Sequence, residues 1–292
     1  MKKKINFALE GKRADIGEYT INRILPNRYS SAIGPFVFLD HLLPSRHAAT
    51  EPIKVADGSG AHPHKGIATL TYIINGEADH FDSNGNHAKV GSGGAQWMKA
   101  GNGVIHDEAV NPDPVRNDLV THAMQFWINL PSKNKSEPPA YIPLQASEIP
   151  AKNLSDGSGW IKVIAGQYEQ YSSVIPNYST QFLYHIHLES DKDFSLSTEK
   201  GLEYALFLPL HDATINAQEF RKGQIIEFDR NEGEIEISNK SETEIDIIVF
   251  GGEKYIEPIV AQGPFVMNSD EEIAEAYMDF HAGKFGNINY GK

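Results

Sequence analysis

The 292-residue chain contains no cysteine. That removes disulfides, thiolate nucleophiles, iron–sulfur clusters and cysteine-type zinc sites together, so any metal must sit on nitrogen and oxygen donors. Basic side chains are scarce as well: 26 Lys and Arg stand against 39 Asp and Glu, a formal charge of −13. A field of that sign repels the phosphates of nucleic acid and of anionic membranes, while leaving protein partners open. No apolar run approaches the roughly 20 residues needed to span a bilayer. Behind the basic start Met1-Lys2-Lys3-Lys4, only Ile5-Asn6-Phe7-Ala8-Leu9 precedes Glu10 and Lys12, too short for the apolar core of a signal peptide. The expectation is a soluble, cytoplasmic protein that binds neither nucleic acid nor membrane.

What the chain does have is material for many short strands. Hydrophobic residues make up 40%, with 25 glycines and 16 prolines to turn the chain. Ala68 to Ile74 is rich in β-branched and aromatic residues and ends at Asn75-Gly76, the pair preferred in type I′ hairpin turns. A second turn signal, Asp82-Ser83-Asn84-Gly85-Asn86, follows, and His122 to Leu130 reads as another strand closed by Pro131. Such spacing points to a sandwich or barrel. From Lys133 to Pro143 the composition turns polar and proline-rich, as in a linker, and strand signals resume from Gly159 to Phe250. A duplicated β-domain is the natural reading. One helix is predicted near the C-terminus: Ser269 and Glu272 form a capping box, Ile273, Ala276, Tyr277 and Phe280 share one face, and Gly283 suits the C′ position.

Residues i and i+2 of a strand point the same way. His62-Pro63-His64 therefore presents two imidazoles side by side, the proline favouring extended backbone before it. His106-Asp107-Glu108 presents one imidazole and one carboxylate in the same manner. The chain between them is long enough for about three strands, so a barrel can bring both segments to one interior. Three neutral nitrogens and a carboxylate oxygen suit Fe(II), Mn, Ni or Cu with two open positions. A lone His-x-His is usually a surface or hydrogen-bonded feature; two ordered pairs are far more specific.

These segments resemble a known family. Gly60-Ala61-His62-Pro63-His64-Lys65-Gly66, Thr69 to Gly76, and Gln96-Trp97-Met98-Lys99-Ala100-Gly101-Asn102-Gly103-Val104-Ile105-His106-Asp107-Glu108 are similar to the pirin pattern. So are Pro35 to His41, Gln125 to Pro131, Gly263 to Asn268 and Gly283 to Gly286, so the resemblance covers nearly the whole chain. It implies an all-β fold of two tandem cupin barrels (double-stranded β-helix, or jelly-roll) with a C-terminal helix. The implied division is a metal-binding N-terminal barrel over 1–133 and a metal-free barrel with the helix over 134–292. The ligand set carried over is His62, His64, His106 and Glu108, holding one divalent metal: Fe(II) first, with Mn, Ni, Cu, Co or Zn accommodated. The implied activity is a quercetin 2,3-dioxygenase that cleaves flavonol-like substrates with O2 and releases carbon monoxide, Glu108 serving also as general base. The alternative is a non-catalytic iron protein that senses redox state and regulates a partner protein. Ala68 departs from the general cupin motif, which often has glutamate there, and is expected to alter the pocket wall.

Other signals are expected to mean less. His185-Ile186-His187 repeats the spacing without a later His-x-Glu and reads as packing or hydrogen bonding. Gly91 to Gly94 and Gly101 to Gly103 lack a following helix and a phosphate-binding lysine, so they read as turns. Asp40-His41 has no nucleophile motif beside it. Trp97, Met98, Phe126 and Trp127 belong either to barrel core or to an aromatic pocket.

Overall fold

The computed structural model describes residues 1–16, 19–116 and 118–291. Its chain divides into two compact units: the first holds 1–16, 21–37 and 149–255, and the second chiefly 38–148 and 256–292. Each is a jelly roll of two antiparallel sheets, as the cupin resemblance implied.

In the second unit the larger sheet includes Ala140–Leu144, Ala95–Lys99, Ile67–Asn75, Val120–Asn129 and Phe36–Arg46 as neighbours in that order. The smaller runs His62–His64, Val104–Asn111, Glu77–Asp82, His87–Val90. Ile73 and Ala123 of the larger sheet pack against Ala78, Val90 and Val110 of the smaller, closing one end of the barrel. In the first unit the larger sheet runs Ile5–Glu10, Gln224–Phe228, Leu202–Phe207, Ile245–Glu253, Gln181–Leu188, Gly159–Ala165, Ala151–Asn153. Its inner face and the sheet of Asp193–Thr198, Gly233–Ser238, Ala213–Ile215 and Gln218–Phe220 enclose a core that includes Tyr184, Ile186, Leu206, Ile235, Ile237 and Ile247.

Three expectations need correction. The units do not follow the 133/134 division. Ile5–Glu10 pairs with Gln224–Phe228 at a sheet edge of the first unit, while the C-terminal residues Phe265, Met267, Ile273, Ala276 and Phe285 form a cluster against Ile105 in the second. Asn75-Gly76 does not close a hairpin: Ile67–Asn75 and Glu77–Asp82 lie in different sheets, and Gly76 (φ 116) turns the chain from one to the other. A β-carbon there would stand 2.7 Å from the Asn111 carbonyl, so the corner demands glycine. The expected linker is integrated too. Ala140–Leu144 pairs with Ala95–Lys99, and Lys135 is buried.

The predicted helix forms over Asp270–His281. Ser269 Oγ accepts from the Glu272 amide at 3.2 Å, while the Glu272 carboxylate reaches back to the Asn268 amide at 2.7 Å. Gly283 follows the C-cap at φ 74. No helix among the described residues is long and apolar enough to cross a membrane.

Candidate metal centre

The register of the smaller sheet of the second unit gathers the site. His106 lies opposite His62 on one side and Asp82 on the other, and Glu108 lies opposite His80. Strand alternation then puts His62, His64, His80, Asp82, His106 and Glu108 on one face. The rings of His62, His64 and His106 form a triangle with centroids 4.4, 5.0 and 5.0 Å apart. His62 Nε2 and His106 Nε2 are 3.0 Å apart.

Two backbone carbonyls set the ring orientations. His62 Nδ1 donates to Gly60 O at 2.8 Å and His64 Nδ1 to Pro264 O at 3.1 Å. With the hydrogens on Nδ1, both Nε2 atoms carry lone pairs, the state a metal requires. His64 Nε2 is buried without a hydrogen-bond partner, as is His106 Nδ1. A buried unpaired nitrogen is costly, and a cation at the convergence of the Nε2 atoms removes that cost for His64, while His106 Nδ1 faces Glu108 instead. Burial pushes His64 down to about 3, with help from neighbouring His62 and against the Pro264 hydrogen bond. Burial, then His62, His64 and His80, hold His106 well below the ordinary imidazole value, so both rings stay neutral. The three residues thus fit a divalent transition metal on the chemistry of their donors.

Glu108 stands differently. One oxygen accepts from Gln96 Nε2, and the other from Gln125 Nε2 at 3.2 Å. Oε1 lies 3.5 Å from His80 Nδ1 and 3.8 Å from His106 Nδ1, the ring nitrogen of His106 that does not meet His62. The ligand atoms accordingly fall into two groups that share His106: His62, His64, His106 and His80, His106, Glu108. The first three predicted ligands are brought together; Glu108 is held beside them by two amides.

Sequence reasoning missed this support. His80 Nε2 meets Asp82 Oδ2 at 3.3 Å, and its ring stacks on Tyr141 at 4.1 Å. Burial alone would lower the His80 pKa, but Asp82 and Glu108 raise it. Tyr141 donates to Gln96 Oε1 at 2.9 Å. The readable signal was His80-Phe81-Asp82, another same-face pair in a short strand. Trp127 lies edge-on to His64 at 5.0 Å and stacks on Phe38 at 4.3 Å, so it belongs to the site wall. Trp97, Met98 and Phe126 are buried core. Ala68 is buried too, on the face of its strand opposite Thr71, whose hydroxyl meets Gln125 at 3.4 Å; it does not form the pocket wall that was expected.

The lesser signals resolve as turns and hydrogen bonds. His185 and His187 each contact Asp246 Oδ1 at 2.9 Å and join no three-ligand cluster among the described residues. Buried His41 pairs with His122, their Nε2 atoms 2.7 Å apart. Gly94 N donates to Gly91 O at 3.0 Å, and Gly103 N to Ala100 O at 2.9 Å, closing the two glycine turns.

Two jelly rolls, one carrying an inward triangle of imidazoles, define a bicupin of the metal-binding type. Family comparison gives the particular group: the Pirin model matches residues 19–128 and the Pirin C-terminal cupin domain model matches 183–286, and the chain belongs to the pirin family. It is 33% identical over 259 residues to a Pseudomonas aeruginosa protein named "putative quercetin 2,3-dioxygenase", covering 89% of each chain. A pirin-like protein of Caulobacter vibrioides is 29% identical over 291 residues, with 99% of this chain and 98% of that one covered. Among solved structures, a quercetin 2,3-dioxygenase from Acinetobacter baumannii superposes with a TM-score of 0.90 at 29% identity, covering 99% of this chain and 100% of that one. A bacterial pirin from Escherichia coli in complex with nickel(II) shares the fold, with a TM-score of 0.61 at 20% identity over 87% of this chain and 98% of that one.

Proposed function

We propose that this pirin-family cupin is a metal-dependent dioxygenase that cleaves flavonols such as quercetin with O2 and releases carbon monoxide. His62, His64 and His106 are the nitrogen ligands, Glu108 the carboxylate and Fe(II) the preferred ion. The observation that carries the reading is the convergence of three imidazoles, two of them buried and held neutral, beside a half-buried carboxylate. The second barrel is proposed to be metal-free, because His185 and His187 are committed to Asp246.

When bound, the metal supplies Lewis acidity toward a substrate hydroxyl and reactivity toward O2. The chain's own residues do the rest. Glu108 accepts the substrate's hydroxyl proton at a carboxylate oxygen, and Gln96 and Gln125 hold that carboxylate in place. As a ligand, Glu108 would hold the metal through a carboxylate oxygen and supply it with negative charge. Trp127 and Phe38 offer a stacked aromatic wall against which a flat ring system orients. His64, His80 and His106 lie buried, while His62 stands at the exposed edge through which a substrate would enter.

The test is O2-dependent quercetin consumption by Fe(II)-reconstituted protein with carbon monoxide detected, alongside His62→Ala and Glu108→Gln. The expected result is turnover that His62→Ala abolishes and Glu108→Gln lowers by about 10²–10⁴-fold, the range for a general base. Full turnover in a metal-loaded Glu108→Gln protein would remove the base role. Metal binding without any turnover would transfer the reading to the redox-responsive regulator of a partner protein.

A further inference from the structure

The turn that follows the His-x-His motif lies against the strand Phe265–Met267, joined to it by a parallel bridge. At one end His64 Nδ1 donates to Pro264 O at 3.1 Å. In the middle Lys65 bridges Phe265, and the Val266 amide donates to Lys65 O at 3.2 Å. At the other end the Lys135 ammonium donates to Gly66 O at 2.7 Å and to Val266 O at 2.8 Å. Those two carbonyls each lie two residues beyond the pair His64 and Pro264. Asn129 Oδ1 takes the third hydrogen at 2.6 Å, so all three donors of the cation are used. Lys135 is only 3% exposed; burial lowers its pKa to about 7, against the pull of the Glu272 and Glu257 charges, and its hydrogen bonds all go to neutral oxygens. A buried amine whose hydrogen bonds go to oxygens of three separate segments has one evident use, which is to hold those segments together.

We propose that Lys135 is a positioning residue of the metal centre: it clasps the C-terminal strand onto the motif turn, so that the Pro264 carbonyl holds His64 in its Nδ1–H form with Nε2 aimed at the metal. Glycine at 66 completes the clasp, because a β-carbon there would stand 2.1 Å from Val266 O. The C-terminal segment therefore belongs to the site through an outer hydrogen bond rather than through a ligand. Support of this kind typically sets metal affinity by 10–100-fold. The inference rests on the metal reading above, but its first readout requires no metal.

The experiment compares Lys135→Met, Asn129→Leu and Lys284→Met with the parent chain. Lys284 pairs with Asp279 on the C-terminal helix, whose other oxygen pairs with Lys65, so its variant controls for general loosening of that segment, its other tie to the motif turn included. The 15N shifts of the His64 ring in the apoprotein, assigned by their loss in His64→Gln, report which nitrogen carries the hydrogen. Co(II) titration then gives the metal affinity. Lys135→Met is expected to shift His64 from Nδ1–H toward a mixture of tautomers and to weaken Co(II) binding at least 10-fold. Asn129→Leu, which leaves two of the three bonds, should do the same to a smaller extent and carries the test if Lys135→Met fails to fold. Lys284→Met should change neither quantity. An unchanged His64 tautomer in folded Lys135→Met or Asn129→Leu overturns the clasp. So does an equal effect of Lys284→Met. Absence of Co(II) binding in the parent chain would instead strike the metal reading and leave the tautomer result to stand alone.

Discussion

Gly66 and Gly85 provide a matched pair for separating backbone strain from steric conflict. Their φ angles are 83° and 86°, so an alanine at either position suffers nearly the same left-handed strain, roughly 1–2 kcal/mol. Their surroundings differ. A β-carbon at Gly85 meets nothing within 4 Å, whereas at Gly66 it would meet Val266 O at 2.1 Å and Met267 Sδ at 2.7 Å. The Met267 side chain can swing away, but the Val266 carbonyl is a backbone group held by Lys135. Relief therefore requires the strand Phe265–Met267 to retreat by about 1 Å, an overpacking cost of about 1–3 kcal/mol. Gly85→Ala should then lose about 1–2 kcal/mol and Gly66→Ala about 2–5 kcal/mol in total. Urea unfolding of the apoprotein followed by tryptophan fluorescence measures both, since Trp97 and Trp127 lie in this unit. The retreat also carries Pro264 away from His64, so Gly66→Ala alone should weaken Co(II) binding. Equal destabilisation by the two substitutions, within about 0.5 kcal/mol, would refute the close approach. Unaltered metal affinity in a destabilised Gly66→Ala would refute its link to the ligand.

The buried imidazoles predict a pH dependence. Burial, seconded by His122, pushes His41 down to about 3, and burial does the same to His64. An unfolded imidazole takes up its proton near 6.5, so the unfolded chain binds more protons between pH 6.5 and 3, and apoprotein stability falls as pH falls through that window. Each group should remove ~1 kcal/mol between pH 6.5 and 5.5, read as a falling urea midpoint that His41→Gln flattens; a midpoint independent of pH over that range would contradict neutral burial. Metal should act in the opposite sense. Excess Co(II) at about 100 times its Kd should stabilise the chain by ~2.7 kcal/mol, chelation should reverse the gain, and His62→Ala should abolish it. A stabilisation that survives His62→Ala would place the ion elsewhere.

How much of this was readable depended on how far each feature reaches along the chain. The helix is local: Ser269, Glu272 and Gly283 cap it with their own neighbours, and it forms where they predict. The imidazole triangle needs two local facts, the i, i+2 alternation at His62/His64 and at His106, plus one pairing of strands. The hold on Glu108 comes from Gln96 and Gln125, on two further strands whose adjacency is a matter of topology. Asn75-Gly76 was misread for a related reason, since the dipeptide states how sharply the chain turns and not which strand the next one pairs with. The segment from Lys133 to Pro143 looked like a linker because its composition is polar. What buries Lys135 is a set of oxygens from Gly66, Asn129 and Val266, and only Asn129 is near in sequence.

The two His-x-His pairs show why spacing alone does not make a metal site. Both pairs sit in strands, and both put their rings on one face. At His185 and His187, Asp246 lies directly opposite His187 in the register and accepts from both rings. Burial alone would raise the Asp246 carboxyl, but those two hydrogen bonds hold it well below the usual carboxylate range, so it has no tendency to release them. At His62 and His64 the hydrogens go instead to two neutral carbonyls, Gly60 O and Pro264 O, which orient the rings without supplying a negative charge. No negative charge lies behind these rings, and the one carboxylate beside them, Glu108, stands 3.5 Å from His80 Nδ1. Backbone carbonyls behind the rings leave the Nε2 lone pairs of His62 and His64 free of any carboxylate. A carboxylate between the rings makes a structural knot.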